Sequence, residues 1–554
     1  MKKSAILFLL LCAAVRSMAQ GTFSGDLMTN LNFFQRDPSI KASGNTLYDN
    51  YLSGSEAWLD MRYNVKGFTF FLRADAFNNS NLKNPTSANT AYGVGAWSIS
   101  KEMKDLTITV GSIYDQVGSG ILFRAYEDRG LLIDHALVGL QLKYKLTNNI
   151  MLKGFMGQQK NNENEVVNAV YAPVIRGFNA EGDFNVNKIH LVPGVGVLNR
   201  TLDANSYKDE SASIQANTDT TKHFTPVYNM YAFTVYNTLT YKNFSWYAEA
   251  AYKTSEGINE PDSITHGPVV VVNKPGNVEY TSINYGKKGI ALSLTGKRTQ
   301  DFVMSTSPDQ TVANGVGAGM MNWQPIVAVL RPERLMSRYT PASQDISEMA
   351  ATANLNLSPN DVTSFTFTYT NINTLDNQKL YREGFAEGYY QGLKSWIIEG
   401  GVQYMEYNMV LYQTRLPKGA PILYAVTPFT EITYRINEKK SIRAELQYMD
   451  TKQDYGSWVF ALLEYDVAPQ WSVSVYDMYN VKVNRNQDNP NSSDANFATE
   501  KGLNYPTAYV AYTKGPHRFS LAYVKQVDGI NCSGGVCRYE PAFSGVKATL
   551  TTSF

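Results

Sequence analysis

Glu56-Ala57-Trp58-Leu59-Asp60-Met61-Arg62-Tyr63-Asn64-Val65, then Lys66-Gly67, then Phe68-Thr69-Phe70-Phe71-Leu72-Arg73-Ala74-Asp75-Ala76-Phe77 is the stretch on which the fold turns. Ala57, Leu59, Met61, Tyr63 and Val65 share one face of the first arm, and Glu56, Trp58, Asp60, Arg62 and Asn64 share the other. In the second arm Phe68, Phe70, Leu72, Ala74 and Ala76 form the apolar row, opposite Thr69, Phe71, Arg73, Asp75 and Phe77. A side-chain period of two belongs to a β-strand. Lys66-Gly67 fits a two-residue hairpin turn, because glycine adopts φ > 0 without steric cost. Pairing Val65 with Phe68 sets Asp60 opposite Arg73 and predicts a cross-strand ion pair.

Two folds accommodate such a hairpin. A sandwich turns the apolar row inward, whereas a membrane barrel turns it to lipid and the charges to a lumen. The connections separate them. Short turns recur at Lys66-Gly67, Lys104-Asp105, Asn148-Asn149, Asn185-Val186-Asn187, Lys242-Asn243, Lys287-Lys288, Asn360-Asp361, Tyr407-Asn408, Glu438-Lys439-Lys440, Pro469-Gln470 and Gly515-Pro516. Long polar stretches alternate with them, among them Arg36 to Tyr51, Ser80 to Tyr92, Asn161 to Val174, Leu202 to Pro226, Gly257 to Asn277, Asp301 to Ser343 and Asn484 to Asn504. Short turns at one end and long loops at the other are the habit of outer-membrane barrels. With both termini at the short-turn end, these turns imply about 24 strands, within a range of roughly 22–26. The expected fold is all-β: a transmembrane antiparallel up-and-down β-barrel with long extracellular loops and short periplasmic turns. No sustained helical period appears.

The last strand agrees. In Val546-Lys547-Ala548-Thr549-Leu550-Thr551-Thr552-Ser553-Phe554, Val546, Ala548, Leu550 and Phe554 face one side, with Thr552 breaking the run. A final strand ending in an aromatic residue is the expected signal to the barrel assembly machinery, with Phe554 as its last residue. Tyr and Trp near turns, as at Tyr63, Tyr241, Trp246 and Trp471, suit a membrane–water boundary.

Residues 1–19 read as a secretory signal: Lys2 and Lys3, the apolar run Ala5 to Ala14, and small residues at Ser17-Met18-Ala19. A lipoprotein reading through Cys12 is weak, because Leu11 precedes it where a small residue is normal. Residues 20–554 then form a single barrel domain, in the outer membrane of a Gram-negative bacterium. No further run is long and apolar enough for a spanning helix. Cleavage leaves 47 basic residues against 49 acidic ones, a net charge near −2 that gives no argument for nucleic acid. With 37 Tyr, 25 Phe and 7 Trp the chain is rich in aromatics, as an alternating membrane barrel is. Cys532 and Cys537 remain, in Asn-Cys-Ser-Gly-Gly-Val-Cys-Arg; an exported chain makes a small loop-closing disulfide the expected reading and a metal site the lesser one.

Residues Gly118 to His135 break the alternation. Arg124, Glu127, Asp128, Arg129 and Asp134 are concentrated between Ile121-Leu122-Phe123 and Leu131-Leu132-Ile133. A mobile surface loop has no need of those apolar triplets. The stretch is expected to fold against the inner wall, either as a constriction that sets the pore's field or as a structural plug without a transport role. The pore-lining candidates are therefore Asp60, Arg62, Arg73, Asp75, Glu249, Arg443 and Glu445 on the wall, with the five charged residues of the insert.

This stretch, the two cysteines and the ending from Pro541-Ala542-Phe543 to Phe554 resemble an uncharacterised outer-membrane β-barrel family of the Bacteroidota, known only as a domain of unknown function. The resemblance implies the fold and the compartment, over essentially the whole mature chain, and no activity.

No phosphate-cradling glycine loop, metal spacing or nucleophile elbow appears. No cofactor and no enzymatic activity are expected. Strand patterning starts near Thr22, leaving no room for the plug domain that precedes energy-coupled receptor barrels. The leading expectation is a porin-like channel or transporter passing solutes through a charged, loop-constricted lumen. The alternatives are a non-conducting scaffold that binds lipoproteins or other barrels, with Met320, Met321 and Trp323 as anchors, and an embedded hydrolase that uses His135.

Overall fold

The computed structural model describes residues 21–160, 173–217, 219–260, 270–306, 319–342, 346–413, 422–483, 502–533 and 536–554. The expected signal at 1–19 and most of the stretches 161–174 and 484–504 lie outside them. Strands β1 (Thr22–Phe34), β2 (Ser53–Val65) and β3 (Phe68–Ser80) open one continuous antiparallel sheet. It closes on itself where the strand Phe543–Ser553 pairs with β1, Leu31 opposite Ala548 and Asp26 opposite Ser553. The sheet holds 25 strand segments, and Val174–Gly182 and Phe184–Val186 are one strand interrupted at Asp183. The protein is therefore a closed antiparallel barrel of 24 strands, as its alternation and turns require.

Side chains sort by pleat. Phe70 and Leu72 of β3 are each 40% exposed on the outside, while Arg73 is 2% and Asp75 3% exposed on the inside. Tight turns hold one end. Lys66 and Gly67 have φ of 48° and 75°, both positive as a type I′ hairpin demands. The turn expected at Lys287-Lys288 falls one residue later, because Gly289 takes φ +81°. The turn at 360–361 likewise shifts to 361–362.

Three expectations need correction. Tyr407-Asn408 is not a short turn. It ends the strand Trp396–Asn408 at the long-loop end, and the tight connection of that hairpin is residues 391–395. The closely spaced tyrosines there, Tyr404 and Tyr407, hide the true register. The loop after Gly257 is shorter than expected, since paired strands run to Glu260 and resume at Val270. A helix spans Ala204–Gln215, capped by Asp203, whose carboxylate accepts from the Asn205 and Ser206 amides. Its apolar contribution is confined to a few residues such as buried Ile214, too sparse to show a helical period.

Candidate functional site

After Ile113 the chain leaves the wall and folds into the lumen, returning at Leu137. Two small hairpins build the insert: Asp115–Val117 pairs with Phe123–Ala125, and Glu127–Asp128 with Ile133–Asp134. Gly118 makes the first reversal possible. It has φ +56°, and a Cβ there would stand 2.8 Å from the Glu249 carboxylate. That carboxylate accepts from the Ser119 amide at 3.0 Å and the Ser119 hydroxyl at 2.5 Å. Val117, Ile121, Leu122 and Phe123 are buried against wall residues Ile175, Leu198 and Met230, with the Phe123 ring stacked on Phe155 at 4.5 Å.

Charges fix the other half of the insert. Arg73 projects from β3 and binds Asp75 at 2.8 Å, Glu127 at 2.7 Å and Asp134 at 2.7 Å. Lys160 reaches Asp134 at 2.7 Å and the Gly95 carbonyl at 2.9 Å. Tyr114 donates to the second Asp134 oxygen at 2.9 Å. Burial alone raises the Asp134 pKa, but Lys160 and Arg73 outweigh it and hold the carboxyl below the usual aspartate value. Asp115, at the base of the insert, is half-buried and also lowered, by Lys153 and Lys143. Gly95 admits the Asp75 carboxylate, which a Cβ would meet at 1.7 Å.

The cross-strand pair expected between Asp60 and Arg73 does not form, although the two are opposite in register. Asp60 instead takes Arg129 of the insert at 2.8 Å, and Arg73 turns to Glu127 and Asp134. The wall thus gives its charges to the insert rather than to itself. Arg129 also contacts Glu127 at 2.9 Å and lies over the Trp58 ring.

Residues 319–342 form a second inward segment. It zips onto the first through hydrogen bonds from the Arg124 amide to the Met321 carbonyl, the Trp323 amide to the Gly120 carbonyl, and the Asn322 side chain to the Ile121 carbonyl. The Arg124 guanidinium sits over the rings of Tyr126 and Trp323. Farther along, buried Val327, Ala328, Leu335 and Tyr339 pack with wall residues Tyr407, Met449 and Trp458. Polar fixings accompany this packing: Arg331 with Glu383 at 3.0 Å, Arg338 with Asp454 at 3.8 Å, the Leu335 amide with Gln447, the Tyr339 hydroxyl with Asp454, and Lys297 with the Pro325 carbonyl at 2.8 Å. Ahead of this segment, Arg200, Glu256 and Lys253 form a fully buried wall triad whose cations also donate to the Ser305 and Val303 carbonyls.

Nearer the short turns the inner wall carries half-buried charges. Glu399, Glu431 and Glu445 stand directly opposite one another on three adjacent strands, an arrangement that costs stability unless compensated. Arg443 bridges Glu431 at 2.8 Å, Glu445 at 3.3 Å and Glu464 at 3.1 Å. Glu333 of the second segment reaches down to Glu387 and Glu399. Arg62 lies at this end too, exposed and 3.6 Å from Asp26. Among the sequence candidates, Asp60, Arg73, Asp75, Glu127, Arg129 and Asp134 therefore form one cluster. Glu249 acts at a separate anchor, Arg443 and Glu445 belong to the acidic arc, and Asp128 accepts from the Leu131 amide inside its own hairpin. Nothing local in sequence marks Tyr114 and Lys160 as partners of Asp134, or Gly95 as the position that admits Asp75.

His135 is 1% exposed and meets the Tyr126 ring edge-on, away from solvent that a hydrolase would need. Cys532 and Cys537 are directly opposite in a hairpin register; their side chains lie outside the described residues. Phe554 exchanges backbone hydrogen bonds with Gly25, both 2.9 Å, and its exposed ring occupies the space that a Gly25 Cβ would fill.

A model described as a family of unknown function, DUF6029, matches residues 1–554. The chain belongs to that family. No curated protein matches the DUF6029 chain. Among solved structures it is similar to the siderophore receptor PirA from Pseudomonas aeruginosa, at 8% identity and TM-score 0.41, covering 96% of this chain and 80% of that one. The FrpB iron transporter from Neisseria meningitidis gives 9% identity and TM-score 0.40, covering 96% and 82%. OccAB3 of Acinetobacter baumannii gives 10% identity and TM-score 0.34, covering 83% and 100%.

Proposed function

We propose that this DUF6029 barrel is an outer-membrane channel or transporter whose lumen is narrowed by residues 114–135 and 319–342. The outward rows of Phe, Leu and Tyr form a belt too apolar for water, with short turns on the periplasmic side and long loops outside the cell. The single observation that carries the reading is the exchange of charge across the lumen: Asp60, Arg73 and Asp75 of the wall bind Arg129, Glu127 and Asp134 of the insert, or their partners. A purely structural plug needs apolar packing, and the first half of the insert has it. Ionic contacts beside a wet, charged lower lumen add a field through which polar solutes pass.

Planar-bilayer recording tests this. The intact protein is expected to conduct weakly, and deletion of 120–130 to raise single-channel conductance several-fold. Absence of conductance in both forms would remove the channel reading.

A further inference from the structure

A cavity of about 340 Å³ lies on the inner wall where β1 meets the strand Phe543–Ser553. Asn30 and Asn32 of β1, Gln526, and Asn81 from the connection after β3 line it. Among the described residues, none of these four amide side chains has a hydrogen-bond partner. Half-buried amides gathered round one space are completed by water or by a ligand.

Charge and shape narrow the ligand. Lys547 holds its ammonium 4.2 Å from the centre of the Phe543 ring, and among the described residues Glu540 and Glu56 act on it only from beyond ion-pair distance. Glu56 is 2% exposed and accepts from Ser80 at 2.6 Å, while Arg538 is engaged by Glu540. The lining thus carries as many anions as cations. An anionic ligand meets Glu56 and Glu540, and a metal cation meets Lys547 and Arg538. A hydrocarbon leaves every amide unpaired. Phe34, Tyr48 and Phe543 form an aromatic floor, with ring centres 5.2 and 5.8 Å apart.

Each amide offers both an acceptor and donors. A sugar ring offers the reciprocal hydroxyls at its rim and a C–H face to an aromatic ring. We propose that this cavity binds a neutral saccharide of one or two rings, its hydroxyls on the Asn and Gln amides and its face on Phe543. The volume falls at the small end of the range for small-molecule pockets. The site stands whether or not the barrel conducts.

Saturation-transfer NMR on the full-length protein in detergent, with maltose and N-acetylglucosamine as probes and succinate and glycine betaine as controls, tests it. At least one sugar is expected to bind in the millimolar range, with neither control binding. The double substitution Asn30→Ala and Gln526→Ala is expected to weaken binding tenfold or more. Asn81→Ala, in a connection outside the barrel ladder, guards against a folding defect and is expected to weaken binding in the same direction. Failure of both sugars to bind, binding of succinate in their place, or binding untouched by both variants would overturn the proposal.

Discussion

Residues 114–135 and 319–342 share one lumen but meet its wall by different chemistry. The first depends on Arg73, Arg129 and Lys160 holding Glu127, Asp60 and Asp134. The second depends on Leu335, Tyr339 and their neighbours packing against Tyr407, Met449 and Trp458. Apolar contact is indifferent to pH and salt, whereas an ion pair is not. The difference makes the first segment the one that charge releases more readily, and the second, where packing backs the Arg331–Glu383 and Arg338–Asp454 pairs, the more fixed lining.

The sharpest way to break this comparison is Arg73→Met. It strands Asp75 and takes one of two cations from Glu127 and Asp134, which keep Arg129 and Lys160; losing one partner of a buried ion pair costs about 3–5 kcal/mol. Hydrogen exchange should show that loss in the opening free energy of 114–135 and in the Trp323 amide bonded to it, with 325–342 unchanged. Equal loosening of both segments would show that they are held as one unit. Leu335→Ala reverses the experiment. Truncating a buried leucine costs about 2–5 kcal/mol, and the loss should appear in 319–342 at low and high salt alike. Arg62→Ala should do least. Its exposed contact with Asp26 contributes at most about 1 kcal/mol, so denaturant unfolding should shift little and neither segment should open.

The barrel was legible because its rule is local. A row such as Phe68, Phe70, Leu72 reports its face by position alone, and Lys66-Gly67 reports its turn by the φ values it permits. The contents of the lumen follow no such rule. Ile121-Leu122-Phe123 announced that residues 118–135 pack on something, yet not that Phe155 and Leu198 receive them. Asp60 and Arg73 stand opposite each other as the alternation predicts, yet each takes another partner, because a third chain segment outcompetes the cross-strand neighbour. Tyr407-Asn408 failed for a related reason: Tyr339 and Tyr412 pack beside Tyr407, and those contacts, set by inserted chain, keep it deep in the long-loop end.

Acid separates the two segments most directly. Asp134 and Asp115 both titrate below the ordinary aspartate value of 3.8 in the folded protein. A depressed carboxylate contributes its full stabilisation above the unfolded value and loses it as pH falls through the folded one. Hydrogen-exchange protection factors, corrected for intrinsic rates, should therefore be high for both segments at pH 7. On acidification below about pH 3.8, residues 114–135 should lose protection, together with the Trp323 amide bonded to Gly120, while 325–342 keeps it. Retention of protection by 114–135 down to about pH 2, or earlier loss in 319–342, would contradict the claim that charge holds the first segment in the lumen.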